Sequence, residues 1–243
     1  MKVNGSVFIV TGSSRGIGRA IALEAARRGA AGIVVNYLRS REAAEKVAEE
    51  IRGLGGDALV VGADVSRWEE ARRLVEAAVG RWGRVDVVVN NAGILEPKPF
   101  HEMEPRDWQR MIEVHFYGAL NVARAALPYM MRQRRGVIVN ISSVLGLRPE
   151  PLTSHYSAAK AALIAWSVAA AKELAEYGIR VFAVAPGGVD TDMARVWGDM
   201  DWVEEEIPLA RLARPEEIAR LVLDAVENPY ITGDVLTISG GLL

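Results

Sequence analysis

In the stretch "SHYSAAKAALIAW" (154–166) a phenol and an ammonium stand four residues apart, at Tyr156 and Lys160. On a helix, positions i and i+4 share one face. A tyrosine ordinarily titrates near pH ~10, and an adjacent cation favours the phenolate and lowers that value. A tyrosine tuned in this way can give a proton to a carbonyl oxygen, or take one from an alcohol, near neutral pH. A Tyr-x-x-x-Lys spacing alone also arises by chance on surface helices, so the pair needs company. The stretch "VTGSSRGIGRAIA" supplies some: Gly12, Gly16 and Gly18 fall where an apolar run gives way to a helical pattern. Glycines there allow a tight turn, close approach of a pyrophosphate and close helix–strand packing, and the helix N-terminus turns its partial positive charge to the phosphates. The turn therefore reads as a dinucleotide site, and Tyr156 beside a nicotinamide would complete a hydride transfer.

Which dinucleotide is partly legible. A carboxylate after the second strand suits the free 2′-hydroxyl of NAD, whereas an arginine accommodates a 2′-phosphate. Here that strand runs "VVNYLRSRE", with Tyr37 at the place of interest, Arg39 and Ser40 after it, and no acid before Glu42. Arg15 lies inside the glycine turn. A 2′-phosphate would meet two guanidiniums and no carboxylate, which favours NADP (NADPH) over NAD. As ordinary surface charges, both arginines would carry no such preference.

These groups need elements to hold them. Apolar, Val/Ile-rich runs end near Thr11, Tyr37, Asp64, Asn90, Ser142-Ser143, Pro186 and Gly240. Between them lie helical patterns over roughly 16–29, 40–54, 67–82, 105–133, 154–177 and 215–226. Strands without polar alternation are buried on both faces. Alternation with helices predicts one doubly wound parallel α/β sheet, Rossmann-like, with helices on both faces. A single domain over 1–243 is expected, and the long irregular stretch 187–214 reads as a substrate lid within it.

The bulk numbers set limits. The 243 residues carry a formal net charge of −2, which argues against a nucleic-acid partner. There is no cysteine, so disulfides and thiolate zinc sites are excluded, and no metal site is expected. No run of about 18 apolar residues suggests a membrane span. The start, "MKVNGSVFIVTG", lacks the apolar stretch and cleavage site of a secretory signal. A cytoplasmic protein is expected.

The motifs come in one order: the glycine turn, "NNAG" at Asn90–Gly93, "ISS" ending at Ser143, "YSAAK" at Tyr156–Lys160, "APGGVDTDM" at 185–193, "ITG" at 231–233 and a closing Gly240-Gly241. Together they resemble the short-chain dehydrogenase/reductase family in its compact single-domain branch, over essentially the whole chain. The resemblance implies roles by position. Ser143 polarises the substrate oxygen, Tyr156 is the general acid/base, and Lys160 lowers its pKa and binds the nicotinamide ribose. Gly12, Ser14, Arg15, Gly16, Ile17 and Gly18 form the phosphate turn. Asp64 and Val65 meet the adenine; Asn90, Ala92 and Gly93 meet the adenosine ribose region. Pro186, Gly187, Val189 and Thr191 pack around the carboxamide. Ser142 and His155 rank as structural neighbours. The family usually shows V-N-x-x-G on its long fourth helix, with the Asn holding a water beside the lysine; here "VHFYG" puts His115 there. His115 can act as a substituted proton relay, impair one, or simply pack as a buried histidine.

Within the family the sequence looks most like 3-oxoacyl-(acyl carrier protein) reductases and related carbonyl reductases. The arginines those reductases often show after the glycine opening the fifth strand, and before the glycine leading to the sixth, are Val137 and Tyr177 here. Acidic lid residues Asp199, Asp201, Glu204, Glu205 and Glu206 would repel an acidic carrier, while Arg132, Arg134 and Arg135 offer a replacement patch. Met193, Trp197 and Trp202 suit an apolar or ring-bearing carbonyl or alcohol substrate. A homo-oligomer, a tetramer, is implied, with the helices of 105–133 and 154–177 pairing between copies. The alternative of another class is a dinucleotide-binding redox sensor with little turnover.

Overall fold

The structure is a computed structural model that describes residues 1–198 and 201–243. Its centre is a parallel sheet of seven strands: β1 (Val7–Val10), β2 (Gly32–Tyr37), β3 (Ala58–Gly62), β4 (Val87–Asn90), β5 (Gly136–Ile141), β6 (Ile179–Pro186) and β7 (Val235–Ile238). The spatial order is β3-β2-β1-β4-β5-β6-β7. The doubly wound fold that the alternating pattern implies is therefore the one the chain adopts. Side chains alternate across each strand. Phe8, Val10, Val87 and Val89 pack on one face, Ile9 and Val88 on the other, all fully buried.

Two layers of helices cover those faces. α1 (Gly16–Arg27) and α2 (Arg41–Gly53) pack on the first face. α3 (Trp68–Trp82) covers the second. The next helical stretch, read in the sequence as unbroken from 105 to 133, is divided. α4 (Pro105–Ile112) gives way to a π-helical turn at Glu113–Tyr117, and α5 (Gly118–Gln133) follows. Apolar spacing tolerates one extra residue in a turn, which is why the division leaves no mark in the sequence pattern. α4 starts where Pro105 takes the first helical position and Asp107 accepts from the Glu104 N–H at 2.8 Å. α6 (Ser154–Leu174) continues as a short 3₁₀ turn to Tyr177.

The stretch 187–214 leaves β6 and returns to within a bridge of its own base. Val189 pairs with Ala213; the Ala213 N–H donates to the Gly188 carbonyl and the Asp190 N–H to the Ala213 carbonyl, both at 2.9 Å. Inside the loop lie a 3₁₀ turn (Ala194–Trp197) and the short α7 (Trp202–Glu206). Asp199, one of the acidic residues read into this segment, lies outside the described residues. α8 (Pro215–Glu227) then packs against α1 before β7 closes the sheet. No described helix is long and apolar enough to cross a membrane.

Candidate active site

The strand order reverses between β1 and β4, and the crevice beyond their carboxyl ends is where such sheets bind ligands. Thr11 draws the two strand ends together. Its hydroxyl accepts from the Asn91 and Ala92 N–H groups at 2.9 and 3.0 Å. The Asn91 amide donates to the Thr11 and Gly12 carbonyls in return. The turn is held from its other side by Asn36, whose side-chain oxygen accepts from the Gly12 N–H at 3.0 Å. At Gly18 a Cβ would come within 2.5 Å of the Asn91 amide nitrogen and 2.7 Å of the Gly12 carbonyl oxygen. No side chain fits there, and α1 closes directly on the turn.

The residues of the turn fit a dinucleotide phosphate. α1 opens with no side-chain cap and no acidic residue in its first turn, so its first N–H groups and partial positive charge face the crevice. Ser14, Gly16 and Ile17 are half-buried there, Arg15 is exposed, and Thr191 of the lid lies against Gly16. Tyr37 ends β2 with its ring against Gly62, while Arg39 and Ser40 are exposed beyond it. Asp64 turns inward: its Oδ1 accepts from the Ser66 N–H at 3.0 Å and hydroxyl at 2.6 Å. Val65 packs beside Gly118.

A cavity of about 750 Å³ runs from this turn to the lid. Ser143, Tyr156, Lys160 and His115 all line it, on three separate pieces of chain, as do Gly93, Pro186, Gly187, Val189 and Thr191. Ser143 follows β5 and caps the 3₁₀ turn Val144–Gly146, its hydroxyl accepting from the Leu145 N–H at 3.1 Å. Ser142 borders the cavity too, but its hydroxyl is taken up in donating to the Lys160 carbonyl at 3.0 Å, so the two serines have distinct tasks. Lys160 is 4% exposed and its Nζ donates to the Ile141 carbonyl at 2.7 Å. Burial brings its pKa down to about 7.

Tyr156 is 6% exposed, with Lys160 Nζ 5.6 Å from its ring centre. The lowered pKa expected from an adjacent cation is not what these surroundings produce. Burial pushes the phenol up to about 12, and a hydrogen bond with Ser143 offsets only part of this. Desolvation wins because it acts on both groups: it disfavours the phenolate and also the ammonium meant to stabilise it.

The Asn90 side chain is turned into the sheet. It is buried, and its amide donates to Asn140 Oδ1 at 2.9 Å; the Asn140 amide donates on to Ser167 at 2.8 Å. The neighbouring Asn91 lines the cavity instead. Thr11, Asn36, Asn91 and Asn140 hold the strand ends together through these bonds, a task the motif spacing did not assign to them. The available signal was an amide or hydroxyl at the end of a strand otherwise buried on both faces.

His115 sits in the middle of the π-helical turn, 2% exposed. Its Nε2 lies 2.7 Å from the Ile94 carbonyl oxygen, and its ring stands edge-on to Tyr156 at 5.1 Å and 88°. Burial first, and then the charge of Lys160, hold it well below the usual histidine range. Among the described residues no cluster of side chains suits a metal ion.

Comparison with known proteins shows the family and the fold. The family described as short chain dehydrogenase matches residues 6–202. The 3-oxoacyl-(acyl-carrier-protein) reductase of Staphylococcus epidermidis is 39% identical over 238 residues, 96% of this chain and 97% of the relative. The enzyme of the same name from Synechocystis is 40% identical over 240 residues, 98% and 96% of the two chains. Among solved structures, a 7α-hydroxysteroid dehydrogenase complexed with NADH and 7-oxo glycochenodeoxycholic acid superposes with a TM-score of 0.93 at 32% identity, over 99% of this chain and 95% of that one.

Proposed function

The chain belongs to the short-chain dehydrogenase family, an oxidoreductase family, and from that premise we propose an NADP(H)-dependent carbonyl reductase, or alcohol dehydrogenase in reverse, with Tyr156 as acid and base. The observation that carries this reading is the convergence of Ser143, Tyr156 and Lys160 on one cavity that reaches the glycine turn. When bound, the nicotinamide supplies the hydride that the carbonyl carbon receives. Tyr156 gives its phenolic proton to the carbonyl oxygen as charge develops there, and Ser143 donates a hydrogen bond to the same oxygen. Burial keeps Tyr156 protonated across the neutral range, which suits a proton donor. Lys160, titrating near neutrality beside it, holds the replacement proton.

Arg15 and Arg39 hold the 2′-phosphate, with Tyr37 where a carboxylate would select NAD; the first acid, Glu42, is exposed and pairs with Lys46 at 2.8 Å. Asp64 and Val65 border the adenine. Asn90 borders the ribose region, with Asn91 lining the cavity beside it. Residues 187–214 act as the substrate lid of a single oxidoreductase domain, working in the cytoplasm as a homotetramer. Exposed Ala158, Ala165 and Ala169 on α6 leave room for the helix of another copy.

The cavity walls favour an uncharged, bulky substrate. Leu95, Leu145, Met193, Trp197 and Trp202 form much of the substrate side. The one arginine there, Arg148, donates to the Leu242 carbonyl at 3.1 Å and faces Glu150 at 3.7 Å. A second reading, reduction of 3-oxoacyl thioesters on an acyl carrier protein, is favoured by the names of the two relatives. Loss of NADPH absorbance against ketones, diketones, quinones, sugars and 3-oxoacyl thioesters decides between them. The best ketone is expected to turn over faster than any thioester, and the reverse order selects the second reading. Fluorescence titration is expected to show tighter binding of NADPH than NADH, and equal affinities would end the NADP assignment. Tight NADPH binding with no turnover across the panel would leave a redox sensor.

A further inference from the structure

The π-helical turn Glu113–Tyr117 places a histidine where the chain has little room for one. His115 presses on the loop after β4: a Cβ at residue 93 would lie 2.5 Å from its Cε1 and 3.0 Å from its Nδ1. Only the bare backbone of Gly93 leaves space for the ring. A π-helical turn inside an α-helix is rare and is commonly found at functional sites.

The Nε2 of the imidazole has two competing contacts, and the shorter one sets its state. Its Nε2 is 2.7 Å from the Ile94 carbonyl oxygen and 3.2 Å from the Ile94 nitrogen. A bare nitrogen lone pair cannot sit 2.7 Å from a carbonyl oxygen without repulsion, so Nε2 carries the proton and donates. That assignment leaves Nδ1 as an acceptor, buried and with no partner among the described residues. The groups facing the ring are Tyr156 and Lys160, with His155 beyond, and none of them is an acid. A second proton would add a buried charge close to Lys160. A relay needs two exchangeable nitrogens; here one is tied to backbone and the other is sealed.

What the ring does touch is Tyr156, edge to face. We propose that His115 is a positioning residue: its neutral ring, anchored on the Ile94 carbonyl, is the wall that sets the orientation of the Tyr156 phenol toward Ser143. This rests on the proposed role of Tyr156 as acid. Misplacing a reacting group by about 1 Å can cost about 100-fold in rate, so a wall of this kind has kinetic weight.

Four variants and one spectrum test it. His115→Phe keeps a ring against Tyr156 and loses the donor; His115→Asn keeps a donor and loses the ring; His115→Leu loses both. Each is checked for folding and NADPH affinity. The phenylalanine variant is expected to keep kcat within about threefold. The leucine and asparagine variants are expected to lose about tenfold or more in kcat, with KM for NADPH little changed. Asparagine at or above wild-type kcat, or phenylalanine as slow as leucine, overturns the proposal. Should phenylalanine fail to fold, nitrogen NMR of the wild type decides. His115 is expected to stay in the singly protonated Nε2–H form from about pH 5.5 to 8, and a titration within that range overturns the proposal. The fourth variant, Tyr156→Phe, is run in parallel. If it stays active, the reading of the acid has failed. If it is inactive while every His115 variant is normal, the positioning role alone has failed.

Discussion

The floor of the cavity and the segment that roofs it are built on opposite terms. Tyr156, Lys160 and His115 are at most 6% exposed, and two of the three polar tips are spent on backbone carbonyls. Arg15 and Asp192, which join the glycine turn to the lid, keep 77% and 61% of their side chains in solvent and meet at 3.4 Å. Among the described residues the lid is otherwise held by the bridge of Val189 to Ala213, by the Leu209 N–H donating to the Gly240 carbonyl at 3.2 Å, and by the buried side chains of Val203 and Ile207, while most of its remaining side chains face solvent. Burial makes the floor precise and costly: it shifts every titratable group in the direction that disfavours charge. The exposed ion pairs of the roof are weak and add little to its hold, which rests instead on a few buried apolar anchors. A site that must admit and release a substrate needs both, with stability sacrificed where the proton is handled and saved where the chain opens.

The comparison breaks first, and hardest, at Tyr156. Tyr156→Phe removes one buried oxygen and leaves the ring packing against His115. Turnover is expected to fall by about 10² to 10⁴, the usual weight of a positioned acid, while NADPH affinity changes by less than about threefold. Steady-state kinetics with a binding titration checks this, and a variant retaining most of its kcat would remove Tyr156 from the chemistry.

Lys160 separates cost from function. Its pKa is about 7 in the folded chain, below the ordinary lysine value. Below pH 7 both folded and unfolded chains hold the proton, and the folded state carries the full penalty of a buried ammonium. As pH rises from 7 towards the unfolded value near ~10.4, the folded lysine gives up its proton before the unfolded one does, and the penalty fades. Lys160→Met removes the charge, keeps the apolar stem and gives up the bond to Ile141. It should be inactive, yet melt roughly 5 °C above the wild type at pH 6, with the gap reduced to less than half at pH 9. Paired melting curves at both pH values are the measurement. A variant that melts lower at pH 6 would mean that the bond to Ile141 outweighs the burial of charge.

These energetic contrasts mark what could and could not be seen in the sequence. The fold was legible because Val/Ile runs buried on both faces have no other common home, and because glycines at 12, 16 and 18 fit where a strand meets a helix. Tyr156 and Lys160 were legible because helical spacing is enough to put them on one face. The direction of the Tyr156 shift was not: desolvation depends on what α4, the 3₁₀ turn after β5 and the loop after β4 pack around the phenol, and no local pattern records that. The π-helical turn escaped because one extra residue barely disturbs an apolar stripe. Asn90 was given a role from the sequence and Asn91 none; only the alternation of side chains at the end of β4 sends the first to Asn140 and the second to the glycine turn. The Arg15–Asp192 pair joins residues 177 positions apart, beyond any spacing argument.

That pair gives the smallest effect and the finest test of the contrast. Arg15 is proposed to meet the 2′-phosphate, yet its nearest anion in the structure is Asp192, which also faces Arg195 at 3.9 Å. Exposed ion pairs are weak and are screened by salt, so Asp192→Asn should leave the melting temperature within about 1–2 °C of the wild type. Removing a carboxylate beside Arg15 frees the guanidinium for the phosphate and removes a like charge near it. NADPH should bind about two- to threefold tighter at low salt, with the gain shrinking at high salt, where the Debye length falls to about 3 Å at 1 M. NADH, which lacks the 2′-phosphate, should bind as before. The informative quantity is the ratio of the two affinities, because a change in lid stability moves both cofactors together. A fall of several degrees in melting temperature would show the lid held by this surface pair, and the contrast between floor and roof would fail. Equal gains for NADH and NADPH would place Asp192 in lid closure and take Arg15 away from the phosphate.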